Sequence, residues 1–112
     1  MLVSKDKITM NEVENDGKTL YLYYDEMAGM YLAFGLSAYY ATLVVEPYIS
    51  YSETLQMPVV LLRRDHILYL RQSLRKVEHV EKSYYHFEMS TEVGDAGYDK
   101  WARPIRTKYF RR

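Results

Sequence analysis

Met27–Val45 reads MAGMYLAFGLSAYYATLVV, nineteen residues without a charge in a chain whose mean hydropathy is -0.37. Such a segment has to form the centre of the core, and the rest of the chain must pack on it. Its length approaches the roughly 20 residues that cross a bilayer. Two Gly, one Ser, one Thr and three Tyr dilute it, however, and no second apolar run is present to build a bundle. Spanning segments are predominantly Leu, Ile, Val and Phe, so no membrane span is expected.

Two periods compete inside this stretch. Met30, Leu32, Phe34 and Leu36 alternate with Tyr31, Ala33 and Gly35, the pattern of a strand with one large face and one small face. Gly29, Ala33, Ser37 and Ala41 instead recur every fourth residue, which would line one side of a helix. A change of state at Gly35-Leu36-Ser37 reconciles them, because Gly breaks either element and Ser is a preferred helix N-cap. The expectation is a strand to Leu36 and a short helix over 38–45, ended before Pro47. The alternative is one continuous helix over 27–45.

Working outward, Asn15-Asp16-Gly17 is a turn signal, and Lys18–Asp25 (KTLYLYYD) alternates Leu20, Leu22 and Tyr24 against Thr19, Tyr21 and Tyr23. An antiparallel hairpin of 18–25 with 29–36 follows. Thr9-Met10-Asn11-Glu12 matches a capping box, but little apolar periodicity stands behind it, so one helical turn is expected there. Glu46–Gln56 reads as a polar connection with a second S-x-x-E match, Ser50 to Glu53. Residues 57–63, MPVVLLR, form a continuous apolar run of strand length, which implies cover on both faces. Pro58 confines itself to that strand's beginning or to an edge.

Asp65 can cap a helix in which Ile67, Leu70, Leu74 and Val77 recur at helical spacing, continued loosely by Tyr84, while Arg64, Arg71, Arg75 and Lys82 lie on another face. The spacing predicts one long amphipathic helix over 65–85, with Glu78 supporting Lys82. Met89–Gly97 is loop by composition. The last segment opens with a helical turn carrying Tyr98 and Trp101, and Pro104 biases Arg103 out of helix. With six Lys or Arg against one Asp, residues 99–112 are read as a basic, mobile C-terminal segment.

The fold expected is therefore α+β in a single domain, 1–112: a small antiparallel or mixed sheet carrying a short helix and a long one. Its core should contain Leu20, Leu22, Leu32, Phe34, Val59, Leu61, Ile67, Leu70, Leu74 and Val77. A third strand lacking a neighbour would need a partner chain to complete the sheet. The chain of 112 residues contains no cysteine, which removes disulfides, thiol nucleophiles and Cys-ligated metals and fits a reducing compartment. The N-terminus shows no apolar h-region, so no secretory signal is expected and the location expected is cytoplasmic.

Net charge is zero, but its distribution is not even. Residues 1–56 hold three Lys against eight acids, net -5; residues 57–112 hold twelve Lys and Arg against seven acids, net +5. The two halves meet inside one domain, or meet between chains, or offer a basic surface to an anionic partner. Tyrosine is the compositional outlier, thirteen of 112. A ring with a polar tip suits half-buried sheet faces and interfaces, so most tyrosines should be structural and a minority should form a recognition surface.

Candidate chemistry is sparse. His79 and His86 would share a face of the long helix, but two turns separate them by roughly 10 Å, whereas zinc ligands stand about 2 Å from the ion. His66 falls in the first helical turn. Glu78, His79, Glu81, His86 and Glu88 form the densest acid-base cluster, and a solvated helix face has the same sequence. No phosphate-binding Gly loop, nucleophile elbow or H-E-x-x-H is present. Cations interleaved with rings carry more weight: Arg64, Arg71, Arg75, Trp101, Arg103, Arg106, Lys108 and Tyr109 are the candidate surface for a partner or a nucleic acid. No motif set transfers residue by residue from a known family. The functional expectation is a small non-enzymatic protein-interaction module without cofactor, most simply a homodimer joined through Tyr-rich and charge-complementary surfaces. The alternatives are a nucleic-acid-binding or regulatory protein and an enzyme with an unrecognised site.

Overall fold

The computed structural model describes residues 3–74, 76–81 and 84–111, without the side chains of 76–81 and 84. The described elements are α1 (Lys5–Val13), β1 (Thr19–Asp25), β2 (Met30–Phe34), α2 (Gly35–Thr42), β3 (Tyr48–Ser52), β4 (Met57–Leu62), α3 (Arg64–Ser73), β5 (Lys76–Glu81), β6 (Tyr84–Glu88) and α4 (Tyr98–Phe110). The six strands form one sheet in the order β3-β4-β2-β1-β6-β5, and every neighbouring pair is antiparallel. The fold is α+β. No described helix is long and apolar enough to cross a membrane.

The extended-to-helical switch occurs one residue after Phe34. Gly35 takes φ +57°, and a Cβ there would stand 3.2 Å from Met57 Sδ and 3.4 Å from Glu12 Cγ, so both backbone and packing call for glycine. Ser37 is consequently inside the first turn of α2, where it was expected to cap it, and the helix ends at Thr42, short of Val45. The expected hairpin is present, with Tyr24 opposite Tyr31 and Tyr23 opposite Leu32.

Alternation along β1 divides the core into two. Leu20 and Leu22 face α2 and α3 and join Ala33, Ala38, Tyr40, Val60, Leu62, Ile67, Leu70 and Phe87 in the larger cluster. Tyr23 turns to the other face, with Phe34, Val59 and Ile8 of α1. Of the core residues expected, Leu32, Leu61 and Leu74 are only partly buried, and the side chain of Val77 lies outside the described residues. Strand β4 is covered on both faces, as its continuous apolar run implied. Pro58 sits one residue beyond the last β2–β4 partner pair, Phe34 with Val59, so its missing N–H removes no bond to β2.

Four expectations are corrected. The helix predicted over 65–85 begins at Arg64 and stops at Ser73, and the chain returns as the β5–β6 hairpin. The apolar residues of 84–89 also alternate: Tyr85, Phe87 and Met89 point one way, and β6 pairs with β1 over five positions, Thr19–Glu88 to Tyr23–Tyr84. Pairing with β1 therefore overrides a local period that fitted a helix. Second, Tyr48–Ser52 is a strand, not a polar connection with a helical turn; it supplies the neighbour that β4 needed from within the chain. Third, α1 is a helix of nine residues capped by Ser4, whose hydroxyl accepts the Lys7 N–H at 3.2 Å. Fourth, α4 runs through Pro104 to Phe110. The proline removes one helical hydrogen bond, and Trp101, Ile105 and Tyr109, four residues apart, hold the helix on α2 and β3.

Candidate functional site

The most strongly perturbed acid is Glu12, which is 7% exposed. Its Oε1 accepts the Ser37 N–H at 2.8 Å and its Oε2 accepts the Ser37 hydroxyl at 2.7 Å; the same Ser37 Oγ accepts the Tyr21 N–H at 2.9 Å. Burial pushes the carboxyl up to about 7, against hydrogen bonds from Ser37 and Asn15 that favour the charged form. An acid beside a serine invites a catalytic reading, but Ser37 is fully buried and its hydroxyl is engaged on both sides. Helix α2 has no cap of its own at Phe34. Glu12 supplies one from 25 residues away, so this trio seals the junction of α1, β1 and α2.

Among the described tyrosines Tyr23, Tyr40 and Tyr51 are buried. Tyr23 is buried with its hydroxyl accepting from Asn11 at 2.8 Å. The buried Tyr40 donates to the Gly94 carbonyl at 2.7 Å, and burial followed by nearby acids raises its pKa to about 12. The acid-base cluster expected on one helix face is redistributed over β5 and β6, where the register sets Glu78 opposite His86 and His79 opposite Tyr85. His66 Nδ1 accepts the Arg63 N–H at 3.0 Å at the start of α3. Among the described residues no group of three or more His, Asp or Glu is placed to hold a metal ion.

The seven described candidate surface residues lie on two different helices. Arg64 and Arg71 lie on α3, above the sheet near the β1–β2 turn; Arg75 is outside the described residues. The other five are on α4. Trp101 turns inward against Tyr39 and Tyr98, with ring centroids 5.5 and 6.0 Å away. Tyr109 packs on Tyr51 at 5.0 Å and donates to Glu53 at 2.7 Å. Arg103 pairs with Asp99, Arg106 stands 5.9 Å from the centre of the Phe110 ring, and Lys108 is exposed beside β3.

The feature missed in the sequence is the edge of the sheet at β3. A groove of about 360 Å³ runs between this strand and α4, lined by Tyr48, Ile49, Tyr51, Ile105, Lys108 and Tyr109. Tyr48 is 69% exposed and Ile49 42%. Strand YISYS has no charge and no proline along its whole length. The opposite edge, β5, reads KVEHVE and carries a register irregularity between His79 and Glu81. Charges and bulges protect an edge strand from pairing with another chain; β5 has both and β3 neither. The signal available in the sequence was the alternation of β-formers in YISYS, which Pro47 and the S-x-x-E match obscured.

No match to this chain is found among protein-family models, curated proteins or solved structures. The class defined by its own residues is an α+β protein built on a six-stranded antiparallel sheet.

Proposed function

We propose that this chain is a non-enzymatic protein-interaction module that pairs with a second copy of itself along β3. The observation that carries this reading is the uncharged, exposed edge at Tyr48–Ser52, set beside an aromatic groove, when the other edge of the same sheet is charged and bulged. An open edge offers a row of unpaired N–H and C=O groups to an incoming strand, with side-chain pockets supplying the specificity. A symmetric pair uses one patch twice, and this strand suits that arrangement. A two-fold axis at Ser50 would set Ile49 of each copy beside Tyr51 of the other, over the ring of Tyr109, and Tyr48 opposite Ser52. A cytoplasmic setting, which a cysteine-free chain fits, belongs to the same proposal.

Sedimentation velocity tests it. The wild-type chain is expected at twice its 13.4 kDa mass, and Ile49→Lys, an exposed substitution that places a charge on the edge, is expected at the monomer mass with an unchanged circular-dichroism spectrum. A wild-type monomer at about 100 µM overturns the reading.

A second reading draws on α4, whose outer side gathers Lys100, Arg103, Lys108 and Arg111 around a broad concavity of about 920 Å³. Nucleic acid bound there would dissociate steeply as salt rises. Absence of DNA or RNA retention at about 50 mM salt refutes it.

A further inference from the structure

Arg64, Ile67 and Arg71 stand at i, i+3 and i+7 along α3, on one side of the helix. Ile67 enters the core, which fixes the helix over the sheet, and the two arginines overhang the strand ends. Beneath them the pleat brings Tyr24, Tyr31 and Tyr85 together: the Tyr24 and Tyr31 rings are 5.0 Å apart and those of Tyr31 and Tyr85 5.7 Å. The Arg71 guanidinium lies 5.6 Å from the centre of the Tyr85 ring. These side chains enclose a cavity of about 310 Å³. Arg63 is neutralised by Asp65 and Arg103 by Asp99. Among the described residues no carboxylate forms an ion pair with Arg64 or Arg71.

Two uncompensated guanidinium groups beside a wall of rings match a ligand that couples a dianion to a planar ring. Guanidinium binds phosphate through paired N–H donors, and aromatic side chains stack on any nucleobase. Burial and the hydrogen bond with Tyr85 raise the pKa of Tyr31 despite Arg71. The volume is at the lower end of small-molecule cavities, sufficient for one nucleotide and not for a strand. We infer that this cavity binds a mononucleotide, with its phosphate between Arg64 and Arg71 and its base against Tyr24, Tyr31 and Tyr85. The site lies under α3 over β2, β1 and β6, with β4 between it and the β3 edge, and does not depend on pairing of chains.

Titration calorimetry of the full chain at low salt, with AMP, adenosine and inorganic phosphate as probes, tests the inference. Saturable AMP binding with a Kd on the order of 0.1 mM is expected, with adenosine and inorganic phosphate each weaker by about tenfold or more. Both arginines are exposed, so Arg64→Gln with Arg71→Gln should fold normally and weaken AMP by at least about tenfold. Arg103→Gln with Arg106→Gln on α4 should leave AMP unchanged. Tyr24→Leu, at a ring that packs on Tyr31, should weaken AMP while leaving inorganic phosphate unaffected. No saturation by about 10 mM AMP overturns the inference. So does an equal loss in the α4 double variant, which would reveal general attraction of anions to cations. Phosphate or O-phosphotyrosine binding as tightly as AMP also overturns the assignment of a nucleotide.

Discussion

Glu12→Gln is the perturbation whose consequence the structure specifies most closely. In the wild-type fold the Glu12 carboxyl is raised from 4.5 to about 7, so the folded chain holds this proton more tightly than the unfolded one. The stabilisation is therefore complete below about pH 4.5 and is lost as pH rises through about 7. At about 1.4 kcal/mol per pH unit, the loss amounts to about 3 kcal/mol, or about 12 °C in Tm for a domain of this size. Gln keeps an oxygen for the Ser37 N–H but cannot ionise. Thermal or urea unfolding of both proteins between about pH 5 and pH 8 should show the wild type weakening with pH relative to the variant. Every other titratable group is common to both proteins, so the difference curve isolates Glu12. Parallel pH profiles for the two proteins would refute the account of a buried, desolvated carboxyl closing α2.

The other predictions concern the core and the backbone. Leu70 is fully buried between α3 and the sheet; Leu70→Asp should abolish cooperative unfolding, because an unpaired buried charge is not tolerated, and Leu70→Ala should cost about 2–5 kcal/mol. An unchanged Tm for either would show that α3 presents another side to the sheet. Gly35→Ala and Gly29→Ala make a matched pair, since both positions have positive φ, but only Gly35 is crowded. The first should therefore destabilise by more than the roughly 1–2 kcal/mol of left-handed strain expected at Gly29, as read from urea midpoints. Trp101→Ala should loosen α4 from Tyr39 and speed tryptic cleavage after Arg106 and Lys108; resistance equal to the wild type would place the anchoring of α4 elsewhere.

The hairpin β1–β2, the apolar strand β4 and the first turns of α3 were legible because each is encoded by its own neighbours: alternation, a turn signal, or helical spacing next to a strand. The rings of Tyr23 and Tyr40 fill the core and their hydroxyls find partners, as expected of a ring with a polar tip. The described candidate cations are divided between α3 and α4. Residue type grouped Arg64 with Arg103, as cations accompanied by rings, whereas the fold puts them on different helices and joins Arg64 to Tyr24, Tyr31 and Tyr85. Nothing local to Tyr24 or Tyr85 announces that association.

By itself the sequence determined the fold class, the uncharged segment at the centre and the glycine where strand becomes helix, because a positive φ and an alternating pattern are properties of a few adjacent residues. Tertiary structure decided the rest. Residues 74–85 satisfied a helical period until β1 offered a strand partner; Tyr48–Ser52 became an edge because β4 needed a neighbour; α4 passed Pro104 because Trp101, Ile105 and Tyr109 found α2 and β3. Glu12 is an ordinary acid in the sequence and a buried cap in the fold. In each case the deciding interaction joins residues far apart in the chain, and its free energy exists only once both sides are assembled.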